Sequence, residues 1–426
     1  MGIVLRNVVA LVDGKANETV DIRIRGKKLD TIGESVLPVS ETDTIIDGEG
    51  KLAVPGFVNA HTHLPMVLFR GLAEDISLST WLEDYIWPAE RELTSEDVYW
   101  GSLLGIAEML KGGTTQFADM YFHTGAIGRA VTDSGIRALL SYGIVAQTLD
   151  KHGKQEMERA SGIIDRWQGA ADGRIRTAVS PHAVYTCGKE IWRAVINLAQ
   201  ERDVPLHIHL SETREEVDRC REEWNETPVR ALDRLGVFAV PTLAAHCVHV
   251  DQEEIERLAE RNVTVVHCPK SNAKLGNGNA PIVALRSAGA RVALGTDGAA
   301  SNNSLDMMEE MRFASLFQKG SLKDPTAIPA REAVRMATEC GAAALGSGAR
   351  EIAVGEDADL ILIDLDRVDT VPAYEPVTTL VYAAHADSVT DVIVAGEFLL
   401  RDRELLTIDE ERVKYEVKRR SRHCIN

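Results

Sequence analysis

Positive charge is in short supply. Against 65 aspartates and glutamates stand 47 lysines and arginines, a formal net charge of −18. Duplex binding needs a basic face, and an anionic bilayer surface disfavours an acidic protein, so neither nucleic acid nor membrane is expected as a partner. No run of about 18 apolar residues exists, so no membrane-spanning helix is expected. The opening Met1-Gly2-Ile3-Val4-Leu5-Arg6-Asn7 lacks the basic and apolar regions of a secretory leader, and Arg6 stands where a myristoylation motif wants Ser or Thr. Cysteine is sparse and scattered: Cys187, Cys220, Cys247, Cys268, Cys340 and Cys424, with no CxxC pair. These read as reduced thiols of a cytoplasmic protein rather than a disulfide framework. Internal repeats, low-complexity tracts and the HExxH zinc motif are also missing.

What is present is ordinary globular material, 45% apolar and 26% charged over 426 residues, enough for a sizeable core. The first fifty residues read as short strands and turns, with strands at 3–12 and 20–24. From Gly56 onward, apolar runs at 57–61, 115–120, 138–145, 176–181, 206–210, 243–248, 263–267 and 292–295 alternate with helical spacing at 95–111, 189–201 and 252–260. Eight alternations over roughly 250 residues is the count of a (β/α)8 barrel, although a doubly wound open sheet has similar texture. A helical stretch at 329–345 precedes strands at 360–364 and 389–394, and a helix at 408–419 closes the chain. The expected organisation is therefore α/β: a TIM-like barrel over 55–348 and a small β-sandwich domain composed of both ends, 1–54 and 349–426.

Four clusters stand where predicted strands end. Asn59-Ala60-His61-Thr62-His63 sets two imidazoles two residues apart, on one face of an extended chain. His207-Ile208-His209-Leu210-Ser211-Glu212 repeats that spacing; His209 lies nearer the strand end, and His207 reads as an inner packed histidine. Ala245-His246-Cys247 and Gly295-Thr296-Asp297-Gly298 follow. Each alone has an ordinary explanation: core or surface histidines, a turn, a structural imidazole. Together and in this order, three histidines and one aspartate at the C-terminal ends of barrel strands make an open site for Zn²⁺ or another first-row divalent ion.

The ordered set Pro55-Gly56-Phe57-Val58-Asn59-Ala60-His61-Thr62-His63, His209-Leu210-Ser211-Glu212, Ala245-His246-Cys247, His267-Cys268-Pro269-Lys270-Ser271-Asn272 and Gly295-Thr296-Asp297-Gly298 resembles the amidohydrolase superfamily. More narrowly, it resembles the methylthioadenosine/S-adenosylhomocysteine deaminases and the related 5′-deoxyadenosine deaminase, over nearly the whole chain. The resemblance implies that His61, His63, His209 and Asp297 bind one divalent metal, Zn²⁺ first and Fe²⁺ or Mn²⁺ as alternatives. It implies that Glu212 shuttles protons and that His246 orients and polarises the attacking water. It further implies substrate contacts: Trp81 near the 5′ substituent, Glu90 on the ribose hydroxyls and His182 closing on the nucleoside; for Trp81, core packing is an equal alternative. The implied partner is a small nucleoside, and the implied assembly a homo-oligomer, dimer or tetramer.

Two departures refine this. Many of the deaminases that the chain resembles carry an arginine where Tyr142 stands here, which leans the expectation from a homocysteine tail toward 5′-deoxyadenosine and other 5′-modified adenosines. The lysine that bridges two metals in binuclear amidohydrolases has no counterpart in Val179-Ser180-Pro181-His182, which supports a single ion. The H-x-E and P-C-x-x-C signature of cytidine-type deaminases is absent too. Replacing the adenine 6-amino group needs activated water, a proton for ring N1 and a proton for the leaving ammonia. Glu212 suits the second task, and Asp297, a ligand with its second oxygen free, suits removal of the water's proton. Rival readings are a deaminase or hydrolase of guanine, isoguanine or an s-triazine, and a dead amidohydrolase barrel used for binding. Ser271, Asn272 and His267 are expected only to shape a loop, and the acidic stretch 212–223 to be a solvated helix face apart from Glu212.

Overall fold

Eight short apolar segments become the parallel strands of one sheet: β1 (Phe57–Thr62), β2 (Thr114–Tyr121), β3 (Arg137–Ile144), β4 (Ile175–Pro181), β5 (Leu206–Leu210), β6 (Thr242–His246), β7 (Thr264–His267) and β8 (Arg291–Leu294). In this computed structural model, residues 2–12, 16, 19–37, 40, 42–261 and 263–424 are described. Six of the eight strands are buried along their whole length, β4 is buried except at half-buried Arg176, and β8 is buried after Arg291, as parallel strands covered on both faces should be. Each strand pairs with its successor in sequence. The circle draws together between β8 and β1, where Asn59 Nδ2 donates to Thr296 Oγ1 (2.7 Å) and Asn59 Oδ1 accepts from Thr296 N–H (3.0 Å). This excludes the open doubly wound alternative.

Local chemistry sets the covering helices. Ser95–Lys111 starts at a capping box in which Thr94 accepts from Asp97 N–H while the Asp97 carboxylate accepts from Thr94 N–H; Asp251 and Glu254 do the same for Gln252–Glu260. The expected helix at 329–345 is two, Ala330–Ala337 and Glu339–Leu345, because Thr338 leaves helical geometry (φ −129°, ψ −90°). The last helix begins at Glu410 rather than 408, since the Asp409 side chain accepts from Arg412 N–H.

The chain ends share one mixed sheet of nine strands. Lys51–Pro55 joins them, lying parallel to Gly2–Ala10 and antiparallel to Leu360–Asp364. The sheet curls back on itself: Ala358 N–H donates to Lys27 O (2.8 Å) and Leu29 N–H to Glu356 O (3.0 Å). The space enclosed is filled by Ile3, Leu5, Ile22, Ile24, Leu360, Leu362 and Ile393. The sandwich-like domain is thus one folded sheet. Two of its strands, Lys28–Gly33 and Thr44–Asp47, carried no sequence signal because they are short and mostly half-exposed or exposed. Five cysteines are buried free thiols; the side chain of Cys424 lies outside the described residues. Among the described residues no helix is long and apolar enough to cross a membrane.

Candidate active site

The four sequence clusters meet at the C-terminal mouth of the barrel. His61 ends β1 fully buried, and His63 follows it by two residues on the same side. His61 Nε2 and His63 Nε2 lie 3.5 and 3.4 Å from Asp297 Oδ1, and His63 Nε2 lies 3.2 Å from His209 Nε2. The donor atoms of His61, His63 and Asp297 fall within 4.8 Å of one another, as do those of His61, His209 and His246. His61 Nε2 is buried with no hydrogen-bond partner among the described residues. An orphaned buried ring nitrogen amid imidazoles and a carboxylate is what a divalent-ion site looks like from its donors, so the residues fit such a group.

The sequence folds this way because each donor is held from behind. His63 Nδ1 meets Met120 O (2.6 Å), His209 Nδ1 meets His182 O (3.0 Å) and His61 Nδ1 meets His207 Nε2 (2.8 Å). Asp297 N–H donates to His61 O (3.0 Å), which pins the turn after β8 against β1. Ser211, His246 and Asp297 all adopt left-handed backbone (φ 49°, 74° and 62°), just after β5, at the end of β6 and in the turn that follows β8. Such geometry costs on the order of 1–3 kcal/mol per residue and clusters at functional sites.

Asp297 does not keep its second oxygen free. Oδ2 accepts from Ser271 Oγ (2.6 Å) and Ser301 Oγ (2.7 Å). Burial alone would raise its pKa, but the neighbouring imidazoles of His61, His63 and His246 hold it well below the usual carboxylate range. Beside it, His246 Nε2 lies 3.7 Å from Glu212 Oε2, and His246 Nδ1 meets Asn272 Oδ1 (2.9 Å). Burial raises the Glu212 pKa, with the Asp297 charge adding to it. Burial pulls the other way on His246, but the charges of Glu212 and Asp297 and the Asn272 bond outweigh it and raise its pKa. Glu212 Oε1 also accepts from Asn277 Nδ2 (2.9 Å).

These groups open into a cavity of about 1300 Å³. Trp81, Glu90 and His182 all line it. Trp81 is also buried in the main apolar core. Glu90 sits on the short helix Trp87–Arg91; burial pushes its carboxyl up to about 7, partly offset by the Tyr121 hydroxyl. His182 follows β4, with its ring 4.6 Å from that of His209 and its Nδ1 3.1 Å from Thr186 Oγ1. Tyr142 lines the same cavity and donates to Glu156 Oε1 (3.0 Å), while Arg159 Nη1 reaches both Tyr142 Oη (3.2 Å) and Glu156 Oε1 (2.8 Å). Among the described residues no lysine lines the cavity.

Sequence reading missed Ser271, Asn272, Asn277, Ser301 and Glu216. Ser271 and Asn272 were visible in the His-Cys-Pro-Lys-Ser-Asn run, but only contact shows that they hold Asp297 and His246. Glu216 sits in the acidic stretch expected to be solvated, yet it is buried and accepts from Ser211 N–H (3.2 Å) and Glu212 N–H (2.7 Å), fixing the turn that carries Glu212.

A sequence model of the amidohydrolase family matches residues 52–399. The chain belongs to the amidohydrolase family. Among relatives of this amidohydrolase, the 5-methylthioadenosine/S-adenosylhomocysteine deaminase of Dictyoglomus thermophilum is 46% identical over 422 residues, 99% of this chain and 98% of the relative. The 5′-deoxyadenosine deaminase of Methanocaldococcus jannaschii is 44% identical over 412 residues, 96% of this chain and 97% of the relative. A solved adenosine deaminase from Xanthomonas campestris with bound zinc superposes with a TM-score of 0.92 at 36% identity, covering 99% of this chain and 98% of that one.

Proposed function

We propose that this amidohydrolase hydrolyses the 6-amino group of 5′-modified adenosines, giving the inosine analogue and ammonia. The observation that carries the reading is the meeting of His61, His63, His209 and Asp297 beside the Glu212–His246 pair at one end of the cavity. Full-length relatives named for methylthioadenosine, S-adenosylhomocysteine and 5′-deoxyadenosine support the substrate class.

His61, His63, His209 and Asp297 would hold one divalent ion, which supplies the Lewis acidity that makes water a competent nucleophile near neutral pH. We assign zinc as that ion, because imidazole and carboxylate donors suit it. Glu212, with its raised pKa, takes a proton from the attacking water and delivers it to N1 as C6 becomes tetrahedral. His246, held by Asn272, steadies the negative charge developing on the attacking oxygen. Glu212, free again once N1 is protonated, carries the remaining hydroxyl proton to the amino group, so the C6–N bond breaks with ammonia leaving.

Glu90 accepts hydrogen bonds from the ribose hydroxyls, His182 covers the nucleoside and Trp81 packs by the 5′ side. Arg159, the guanidinium nearest Tyr142, is committed to Tyr142 and Glu156, which favours short uncharged 5′ groups over a carboxylate tail. The shared end-to-end sheet supports a division into 1–54 with 349–426 and a catalytic barrel at 55–348. Buried free thiols support a reducing, cytoplasmic setting, and a homo-oligomer is the expected assembly.

The test is a panel of zinc-loaded turnovers with 5′-deoxyadenosine, methylthioadenosine, S-adenosylhomocysteine and adenosine, followed by the adenine-to-hypoxanthine absorbance change and by ammonia. Turnover of the first two above the third is expected. Preference for S-adenosylhomocysteine would overturn the specificity reading, and silence toward all four would overturn the function.

A further inference from the structure

We infer that His207 is a positioning residue: its Nε2 lone pair holds His61 in the tautomer whose own Nε2 is free to bind the divalent ion. The inference rests on the reading of His61 as a ligand.

The two imidazoles are fully buried and 2.8 Å apart, His61 Nδ1 to His207 Nε2. A neutral imidazole has one N–H and one lone pair. The nitrogen of His61 that faces Asp297 and the other imidazoles is Nε2, so binding an ion there requires the proton on Nδ1. That proton needs an acceptor, and the group facing it is His207 Nε2. His207 must then carry its proton on Nδ1, which is buried with no partner among the described residues. A buried unpaired N–H costs on the order of 1–3 kcal/mol, so apolar packing alone gives no reason for an imidazole at this place.

The other two histidines of the cluster make the contrast. His63 and His209 present Nδ1 to backbone carbonyls of Met120 and His182, which can only accept, so their tautomers are fixed by the chain. His61 alone is backed by a side chain that can donate or accept. If His207 donated instead, His61 Nε2 would hold the proton and could not ligate. Control of that ligand therefore lies with residue 207, two positions before His209 on β5.

Two measurements test this on the full-length protein. With ring-¹⁵N histidine and Zn²⁺ bound, long-range ¹H–¹⁵N correlation should show His207 protonated at Nδ1 and bare at Nε2, its signals assigned by their loss in His207→Gln. A proton on His207 Nε2 overturns the inference, and this readout needs no destabilised variant. Zn²⁺ affinity, read by competition with a chromogenic chelator, should fall ~10–100-fold in His207→Leu and stay within ~3-fold in His207→Gln, which keeps an acceptor at that reach. Unchanged affinity in His207→Leu overturns it. His61→Ala run alongside separates the two readings. If His61→Ala binds Zn²⁺ as tightly as the parent, the ligand reading fails and this one with it; if His61→Ala loses the ion while His207→Leu does not, only the role of His207 fails.

Discussion

On the cavity wall built by β1, β5, β6 and β8, polar side chains are locked: Asp297 by two serines, His246 by Asn272, Glu212 by Asn277, His63 and His209 by carbonyls. Elsewhere in the cavity lining, Trp81, Glu90, Glu156 and Arg159 sit on short or peripheral helical segments, and Arg159 is more than half exposed. The first wall uses rigid strands and strained turns, as a site that must hold reacting atoms within a fraction of an ångström requires. The second carries its side chains on peripheral helical segments, where a specificity surface can sit. Chemistry and selectivity should therefore separate in mutants of the two walls.

The largest effect is expected on the locked wall. Glu212→Gln should lower kcat on the order of 10²–10⁴-fold with zinc content unchanged, measured by ammonia release alongside metal analysis. Near-parental kcat would remove Glu212 from proton transfer. Asn272→Ala comes next: loss of the His246 anchor should lower kcat ~10–100-fold with little change in KM. A change in KM alone would place Asn272 on the wrong side of the comparison.

Effects on the selectivity wall should fall on KM. Glu90→Gln should raise KM for adenosine derivatives ~10-fold while leaving free adenine unaffected, since it weakens hydrogen bonds to a charged acceptor. Because burial pushes the Glu90 carboxyl up to about 7, it gains its charge as pH rises through that value. The KM for ribosides should accordingly rise as pH falls below about 7, and that limb should vanish in Glu90→Gln. Equal effects on adenine and its ribosides would deny the sugar contact.

This asymmetry also explains what the sequence made legible. The barrel strands were readable because each carries a short apolar stretch, and the cluster residues because they sit at fixed spacing along those stretches. His61-Thr62-His63 and His207-Ile208-His209 announce a shared face from period two alone. The supports did not announce themselves: Ser271 and Ser301 are 30 residues apart and meet only at Asp297 Oδ2, and Glu216 looked like one more acid on a charged helix. Likewise Lys28–Gly33 and Thr44–Asp47 are strands mainly through their neighbours, not through their own pattern. His207 and Asp297 show the same limit, for one passed as packing and the other as having a spare oxygen until the partners were in place.

The smallest predicted effect lies behind the locked wall. Glu310 is fully buried and accepts from Asn302 Nδ2 (2.7 Å); burial pushes its carboxyl up to about 8. A carboxyl raised in the folded state holds its proton more tightly folded than unfolded, so its contribution favours folding at low pH. That contribution is lost as pH rises from the unfolded value near 4.5 through about 8. Glu310→Gln should leave Tm nearly unchanged near pH 4.5 and raise it by about 5 °C at pH 8.5 by scanning calorimetry. A larger loss of Tm at high pH than at low would reverse the assignment.

The most direct measurement is a zinc titration of metal-stripped protein with 5′-deoxyadenosine present, following absorbance and ammonia together. The account predicts that deamination rises in proportion to added zinc and levels off at one ion per chain, with His61→Ala silent throughout. Deamination that needs two ions per chain, or fully loaded protein that leaves the nucleoside intact, would contradict it.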